Sequence, residues 1–198
     1  WRKRQPYFHI SINMSCSQLS RSDIGDIVAD RVKRSKVPSE CITIEVTESM
    51  SISADYQINS IFARWKKEGI RISMDDFGTG YSSLSRLSEL DVDEIKIDRC
   101  FVKEIEKSVY NHRLIGNMIE LAENRNIDVC CEGVETLGEL AALKELGPRF
   151  LQGYLFAQPC VPEQFEQMYF GEDSKASRKR LENINLAVFR KMALHNSP

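Results

Sequence analysis

Five β-like segments of this chain alternate between branched apolar and polar side chains, and that alternation decides which folds are open to it. In Tyr7–Asn13, Ile10 and Ile12 stand against His9, Ser11 and Asn13. In Cys41–Val46, Ile42 and Ile44 stand against Thr43 and Glu45. Ile70–Asp75 sets Ile70, Ile72 and Met74 against Arg71, Ser73 and Asp75, and Asp93–Asp98 sets Ile95 and Ile97 against Glu94, Lys96 and Asp98. Ile127–Glu132 sets Val129 and Cys131 against Asp128, Cys130 and Glu132, and a sixth, shorter segment is Arg149–Gln152. Successive side chains of a strand point to opposite faces, so each strand has one apolar and one polar side. An open doubly wound sheet, covered by helices on both faces, needs near-continuous apolar strands instead. A closed barrel accepts this pattern, with the apolar side under an outer ring of helices and the polar side within.

The segments between the strands have helical periodicity. Ile24–Lys36, Ala54–Glu68, His112–Asn124 and Leu137–Leu146 each repeat apolar residues at three- and four-residue steps. Gly69 and Gly147 follow two of them, where a left-handed terminal residue is expected. Strands alternating with helices imply parallel pairing. The expected fold is therefore α/β, a TIM-like (β/α) barrel formed by residues 1–170, with 171–198 as a polar tail.

In such a barrel the last polar residue of each strand reaches the C-terminal mouth, where these folds carry their chemistry. Those residues are Asn13, Glu45, Asp75, Lys96 with Asp98, Glu132 and Gln152. With Asp76, five carboxylates would share one opening with a single lysine. Carboxylates that close cannot all remain ionised unless cations relieve them. The donors are oxygens, with neither His nor Cys among them, which selects hard ions such as Mg²⁺ or Mn²⁺ over zinc. Adjacent Asp75 and Asp76 suit a pair of ions, and two-metal sites hydrolyse phosphodiesters. Acidic strand ends with a lysine also suit Mg²⁺-assisted proton abstraction of the enolase type.

Composition removes other classes. The formal net charge is −2 with 28% charged residues, so no broad basic surface is available for a DNA or RNA polymer or an anionic membrane. No apolar run approaches membrane-spanning length. The six cysteines, Cys16, Cys41, Cys100, Cys130, Cys131 and Cys160, form no CxxC pair and read as reduced packing residues of a cytoplasmic protein. His9 and His112 show no partner pattern.

The residues at the strand ends lie in longer stretches: ISINMS at 10–15, EVTES at 45–49, DDFGTGYSS at 75–83, IKIDRCFV at 95–102, EGVET at 132–136 and QGYLFAQP at 152–159. In order and spacing these resemble the EAL phosphodiesterase family, over about residues 1–170. The resemblance implies hydrolysis of cyclic di-GMP to linear pGpG with two Mg²⁺ or Mn²⁺ ions. It implies Asn13, Glu45 and Asp75 as ligands of the first ion and Asp75, Asp76 and Glu132 as surroundings of the second. Glu132 would be the general base, Lys96 would hold the attacking water, and Gln152 would complete the polar cluster. Glu48 would anchor a mobile loop, Phe77–Ser83, that couples the site to homodimerisation, and Asp98 and Glu135 also match family positions. An upstream sensor or GGDEF domain fits the same family.

Two features depart from the family pattern. The Glu-Ala-Leu motif, whose Glu is a metal ligand, is absent, and two strand–helix stretches expected before residue 1 are missing, leaving apolar surface exposed. The expectation is a truncated barrel, inactive alone and active where a longer protein supplies that Glu. The alternative is a cyclic di-GMP receptor that does not hydrolyse. The tail, with Leu181, Ile184, Leu186, Val188, Phe189 and Met192, reads either as a short amphipathic helix or as a solvated end.

Overall fold

A computed structural model describes residues 1, 3, 8–48, 55–80, 91–171 and 174–179. Tyr7, Ser49, Ala54, Tyr81–Ser83 and the apolar positions of the tail lie outside the described residues.

Six strands occur in the order β1-β2-β3-β4-β5-β6, hydrogen-bonded as numbered. They are β1 (Ile10–Met14), β2 (Ile42–Thr47), β3 (Arg71–Phe77), β4 (Glu94–Ile97), β5 (Asp128–Cys131) and β6 (Phe150–Leu151). β1–β2, β2–β3 and β3–β4 pair in parallel, with Asn13 opposite Glu45 and Glu45 opposite Ser73. The helices are α1 (Cys16–Leu19), α2 (Ile24–Ser35), α3 (Asp55–Lys67), α4 (Arg99–Val102), α5 (Val109–Glu123), α6 (Leu137–Leu146) and α7 (Pro162–Phe170). A parallel sheet with helical crossovers is the (β/α) class that the strand pattern demands.

The chain divides into two compact units, Trp1–Asp98 with Glu120–Cys130, and Arg99–Ile119 with Cys131–Pro198. In the first, the apolar sides of the strands are nearly sealed: Ile44, Ile72, Ile95 and Ile97 are at most 1% exposed. The α3 stripe of Ile58, Ile61, Phe62 and Trp65 is buried as its spacing requires. Trp65 is fully buried and its indole N–H donates to the Gly25 carbonyl at 3.1 Å, tying α3 to α2. Truncating such a residue to alanine costs about 3–5 kcal/mol. The polar sides are buried too, at Thr43, Glu45, Ser73 and Lys96. β1, at the end of the strand order, leaves Ile10 and Ile12 exposed.

Local signals explain the helix ends. Ser15 and Gln18 form a reciprocal capping box at α1, as do Thr136 and Glu139 at α6. α6 ends on Gly147 in the left-handed region. Helix α2 stops one residue earlier than its periodicity suggests, because Lys36 itself turns left-handed (φ 59°).

Two readings of single residues need correction. All six cysteines are free, but Cys16, Cys100 and Cys160 are exposed, so only Cys41, Cys130 and Cys131 pack in the core. The exposed three lie at helix starts and in a loop, where no alternating pattern could bury them. His112 does have an acidic neighbour: its Nε2 is 3.9 Å from Glu145 Oε2, across the α5–α6 packing.

Candidate active site

Strand register builds the centre of the site. Glu45 on β2 and Asp75 on β3 both reach Lys96 on β4: the ammonium is 3.1 Å from Glu45 Oε2 and 3.2 Å from Asp75 Oδ1. The side chains are 6%, 9% and 17% exposed for Lys96, Glu45 and Asp75, so this is a desolvated ion triad. These ion pairs tie Lys96 to carboxylates from two other strands. Asn13 stands in register beside Glu45 at the exposed end of β1.

A β-bulge places the paired aspartates. β3 advances from Met74 to Phe77 while β4 advances only from Ile95 to Ile97, so one residue of β3 is extra. Asp76 takes the left-handed region (φ 56°), which an Asp tolerates better than most residues. Its N–H donates to Asp75 Oδ1 at 3.1 Å, and its carbonyl accepts from the Thr79 N–H and hydroxyl at 3.2 and 2.8 Å. In a regular strand Asp75 and Asp76 would face opposite sides; bulges beside active sites re-aim such side chains. Partial desolvation, followed by the carboxylates of Asp75 and Asp98, pushes the Asp76 carboxyl above its ordinary value. Negative charge is therefore crowded at this end of β3 and β4.

The loop after β3 is pinned from beneath. Glu48 is 2% exposed and accepts from the Gly78 N–H at 2.8 Å and the Gly80 N–H at 3.4 Å. A Cβ on Gly80 would come within 2.7 Å of Glu48 Oε1, so a larger residue there would push the Glu48 carboxylate aside.

The second unit carries Glu132, Glu135 and Gln152. Glu132 follows β5 and is half-buried; Glu135 and Gln152 are exposed. The Gln152 N–H donates to the Cys131 carbonyl at 2.9 Å, and the Val134 N–H donates to the Gln152 carbonyl at 3.0 Å. The 131–134 and 152–155 segments thus run together. Gly153 makes this possible, since a Cβ there would stand 2.2 Å from the Val134 carbonyl oxygen.

For divalent ions, the chemistry of the donor set fits: two desolvated carboxylates held about one cation, an amide in register beside them, and a crowded Asp75–Asp76 pair. In the arrangement seen here the ammonium of Lys96 stands between Glu45 and Asp75, and among the described residues no three His, Cys, Asp or Glu side chains converge on one ion position. Sequence reasoning overlooked Glu139, whose carboxylate gathers backbone N–H groups around the segment after Glu132. Its signal was a charged residue inside the otherwise apolar stripe of α6.

Comparison with known proteins identifies the family. The EAL domain family matches residues 1–159. Cyclic di-GMP phosphodiesterase PdeR of Escherichia coli is 34% identical over 169 residues, which are 85% of this chain and 26% of PdeR. The chain thus spans about a quarter of the length of the first curated relatives it matches. A manganese and cyclic di-GMP complex of Klebsiella pneumoniae BlrP1 superposes with TM-score 0.74 at 31% identity, covering 80% of this chain and 41% of that one. The EAL domain of Mycobacterium smegmatis DcpA superposes with TM-score 0.77 at 31% identity, covering 81% and 72%. The chain belongs to the EAL domain family.

Proposed function

We propose that this chain carries the larger part of a cyclic di-GMP phosphodiesterase site, which opens one of the two phosphodiesters to give linear pGpG. The observation that carries the reading is the ion triad of buried Lys96 and Glu45 with half-buried Asp75 at the ends of neighbouring parallel strands. The names of the relatives, a cyclic di-GMP phosphodiesterase and a manganese and cyclic di-GMP complex among them, support the substrate and the use of divalent ions.

In this reading Asn13, Glu45 and Asp75 hold one Mg²⁺ or Mn²⁺ ion, and Asp75, Asp76 and Glu132 face a second. The ions, when bound, lower the pKa of water and neutralise the phosphate oxygens. Glu132 accepts the proton of the attacking water. Lys96, held by Glu45 and Asp75, orients that water and keeps positive charge near the phosphate. Gln152 and Asp98 complete the polar lining, Glu135 contacts the substrate, and Glu48 keeps the 78–80 backbone in place. Homodimerisation through the loop that starts at Phe77, control by an upstream domain and a cytoplasmic setting belong to the same proposal. No helix among the described residues is long and apolar enough to cross a membrane.

The test is cleavage of cyclic di-GMP, followed by chromatography of pGpG, with Mg²⁺ or Mn²⁺ present or chelated. The chain alone is expected to be inactive or nearly so. A longer protein that supplies the upstream glutamate is expected to cleave. Asp75→Asn or Glu45→Gln in that protein should lower kcat at least ~100-fold, the scale of losing one group that stabilises transition-state charge. Unchanged metal-dependent turnover in either variant removes that residue from the site, and tight binding without cleavage makes the domain a receptor.

A further inference from the structure

Glu139 sits on the first turn of α6 and closes a capping box with Thr136, an ordinary role for a glutamate at that position. What it does beyond the cap is not ordinary. The residue is 4% exposed, whereas a capping side chain at a helix start normally meets water. One carboxylate oxygen accepts from the Glu135 and Thr136 N–H groups at 2.8 and 2.9 Å, and the other accepts from the Glu104 N–H at 3.1 Å. Glu104 is thirty-five residues away in sequence and is itself left-handed (φ 55°), at the head of the 105–107 turn. A single desolvated carboxylate therefore joins two separate backbone segments. Burial works to raise its pKa, but the three backbone N–H groups and the Thr136 hydroxyl outweigh that and hold it below the ordinary range.

The segment it grips is the one that begins with Glu132, and the grip is reinforced at two more points. A Cβ on Gly133 would stand 2.4 Å from Arg99 Cβ, so this backbone is pressed against the start of α4. Val134 donates to the Gln152 carbonyl and accepts from the Leu155 N–H, both at 3.0 Å. With Glu135 and Thr136 bound to Glu139, the four residues after Glu132 have little freedom to rotate.

We infer that Glu139 is a positioning residue: it fixes the 132–136 backbone, and through it the direction of the Glu132 and Glu135 side chains. This rests on the proposed phosphodiesterase reading for its catalytic consequence, but not for its structural one. A glutamine cannot replace it. The amide keeps one accepting oxygen, but its NH₂ then faces an N–H donor, so either the Glu104 bond or the Glu135–Thr136 bonds are lost. Glu139→Asp keeps the charge but is one methylene shorter and cannot span both segments.

Two measurements on the full-length protein decide the matter. Amide hydrogen exchange compares wild type, Glu139→Gln, Glu139→Asp and Thr136→Ala, the last removing the cap hydroxyl while leaving the carboxylate. Steady-state kinetics on cyclic di-GMP with Mn²⁺ compares the same four proteins. In both Glu139 variants exchange should rise at least ~10-fold at Glu104, at Glu135 and Thr136, or at all three, with the strand core unchanged. Their kcat should fall ~10–100-fold, as losses of supporting hydrogen bonds do, with KM changed less than ~3-fold. Thr136→Ala should lower Tm yet keep kcat within ~2-fold. Unchanged exchange at all three amides overturns the structural claim. Loosened amides with unchanged kcat, or a loss of kcat in Thr136→Ala that matches its loss of Tm, overturns the positioning role. If wild type does not cleave, the phosphodiesterase reading fails and the exchange result still decides the anchor.

Discussion

Replacing Lys96 with methionine tests the centre of the site without changing its volume much. At 3.1 and 3.2 Å from two carboxylates, the ammonium gains about 5 kcal/mol of attraction from each at an effective dielectric near 20. That gross figure is largely offset by the cost of removing three charges from water. The variant removes the attraction and keeps most of the cost, because Glu45 and Asp75 stay buried and now face each other without a cation between them. Losing one partner of such a buried pair costs ~3–5 kcal/mol. With a urea m-value near ~2 kcal/mol/M, the unfolding midpoint should fall by ~1.5–2.5 M.

The second half of this prediction concerns divalent ions. If the two carboxylates are ion ligands, Mg²⁺ or Mn²⁺ should stabilise Lys96→Met more than wild type, because the ion replaces the missing charge. At one hundred times its dissociation constant a ligand specific to the folded state adds ~2.7 kcal/mol. The assay is urea unfolding by circular dichroism, with and without Mn²⁺, against NaCl of equal ionic strength. A midpoint loss under ~0.5 M would show that the three charges are not desolvated as described. Recovery by NaCl equal to that by Mn²⁺ would show general screening, and the ligand assignment of Glu45 and Asp75 would fall.

Other expectations follow from single groups. Burial pushes the Glu94 carboxyl above its ordinary value despite a 2.7 Å hydrogen bond from the Ser73 hydroxyl. A raised carboxyl favours folding below its unfolded pKa and loses that contribution as pH rises through the folded value. Glu94→Gln should therefore gain stability on wild type as pH rises from 4.5 to 8, measured by unfolding midpoints; a constant difference would refute it. Burial also drives the Cys131 thiol up to about 12, so iodoacetamide at pH 8 should label Cys16, Cys100 and Cys160 in the native protein and spare Cys131 until it unfolds. Peptide mass spectrometry reads the pattern, and early labelling of Cys131 would contradict its burial. Gly153→Ala forces a Cβ against the Val134 carbonyl and should cost several kcal/mol or abolish expression, whereas Gly147→Ala, with nothing within 4 Å, should cost only the ~1 kcal/mol of a strained left-handed alanine.

What the sequence revealed and concealed divides along the range of the interactions involved. All six strands and four of the helices were readable, because periodicity two and periodicity near four are local and each is written in the side chains themselves. Leu137–Leu146 was located to the residue, since Thr136 opens it and Gly147 closes it. Helix α7 escaped notice although Pro162 marks its first turn, because its apolar residues cluster at one end and give no long stripe. The strand-end residues stand out as candidates because they close each alternating run, but which of them meet is a matter of register between strands. No pattern along β4 says that Lys96 will choose Glu45 and Asp75, on β2 and β3, as its ion-pair partners.

The bulge in β3 shows the same limit more sharply. Ser73 and Asp75 alternate with Ile72 and Met74, and continuing that alternation sends Asp76 to the opposite face. Pairing with a shorter β4 reveals the extra residue, which is the physical reason the Asp76 carboxyl can stand near Asp75, as their adjacency in sequence suggests. Glu139 was hidden for a different reason. Its capping role is visible and sufficient in sequence, so nothing local asks for another explanation. The demand for one arises when three N–H groups from two segments are found on a carboxylate that water scarcely reaches. A charged residue among Gly138, Leu140, Ala141 and Leu143, all buried, is the trace such an anchor leaves. Burying an ionised carboxylate is unfavourable unless its lone pairs are filled. A lone acidic residue in an apolar helix stripe should therefore prompt a search for backbone donors before it is assigned to a cap.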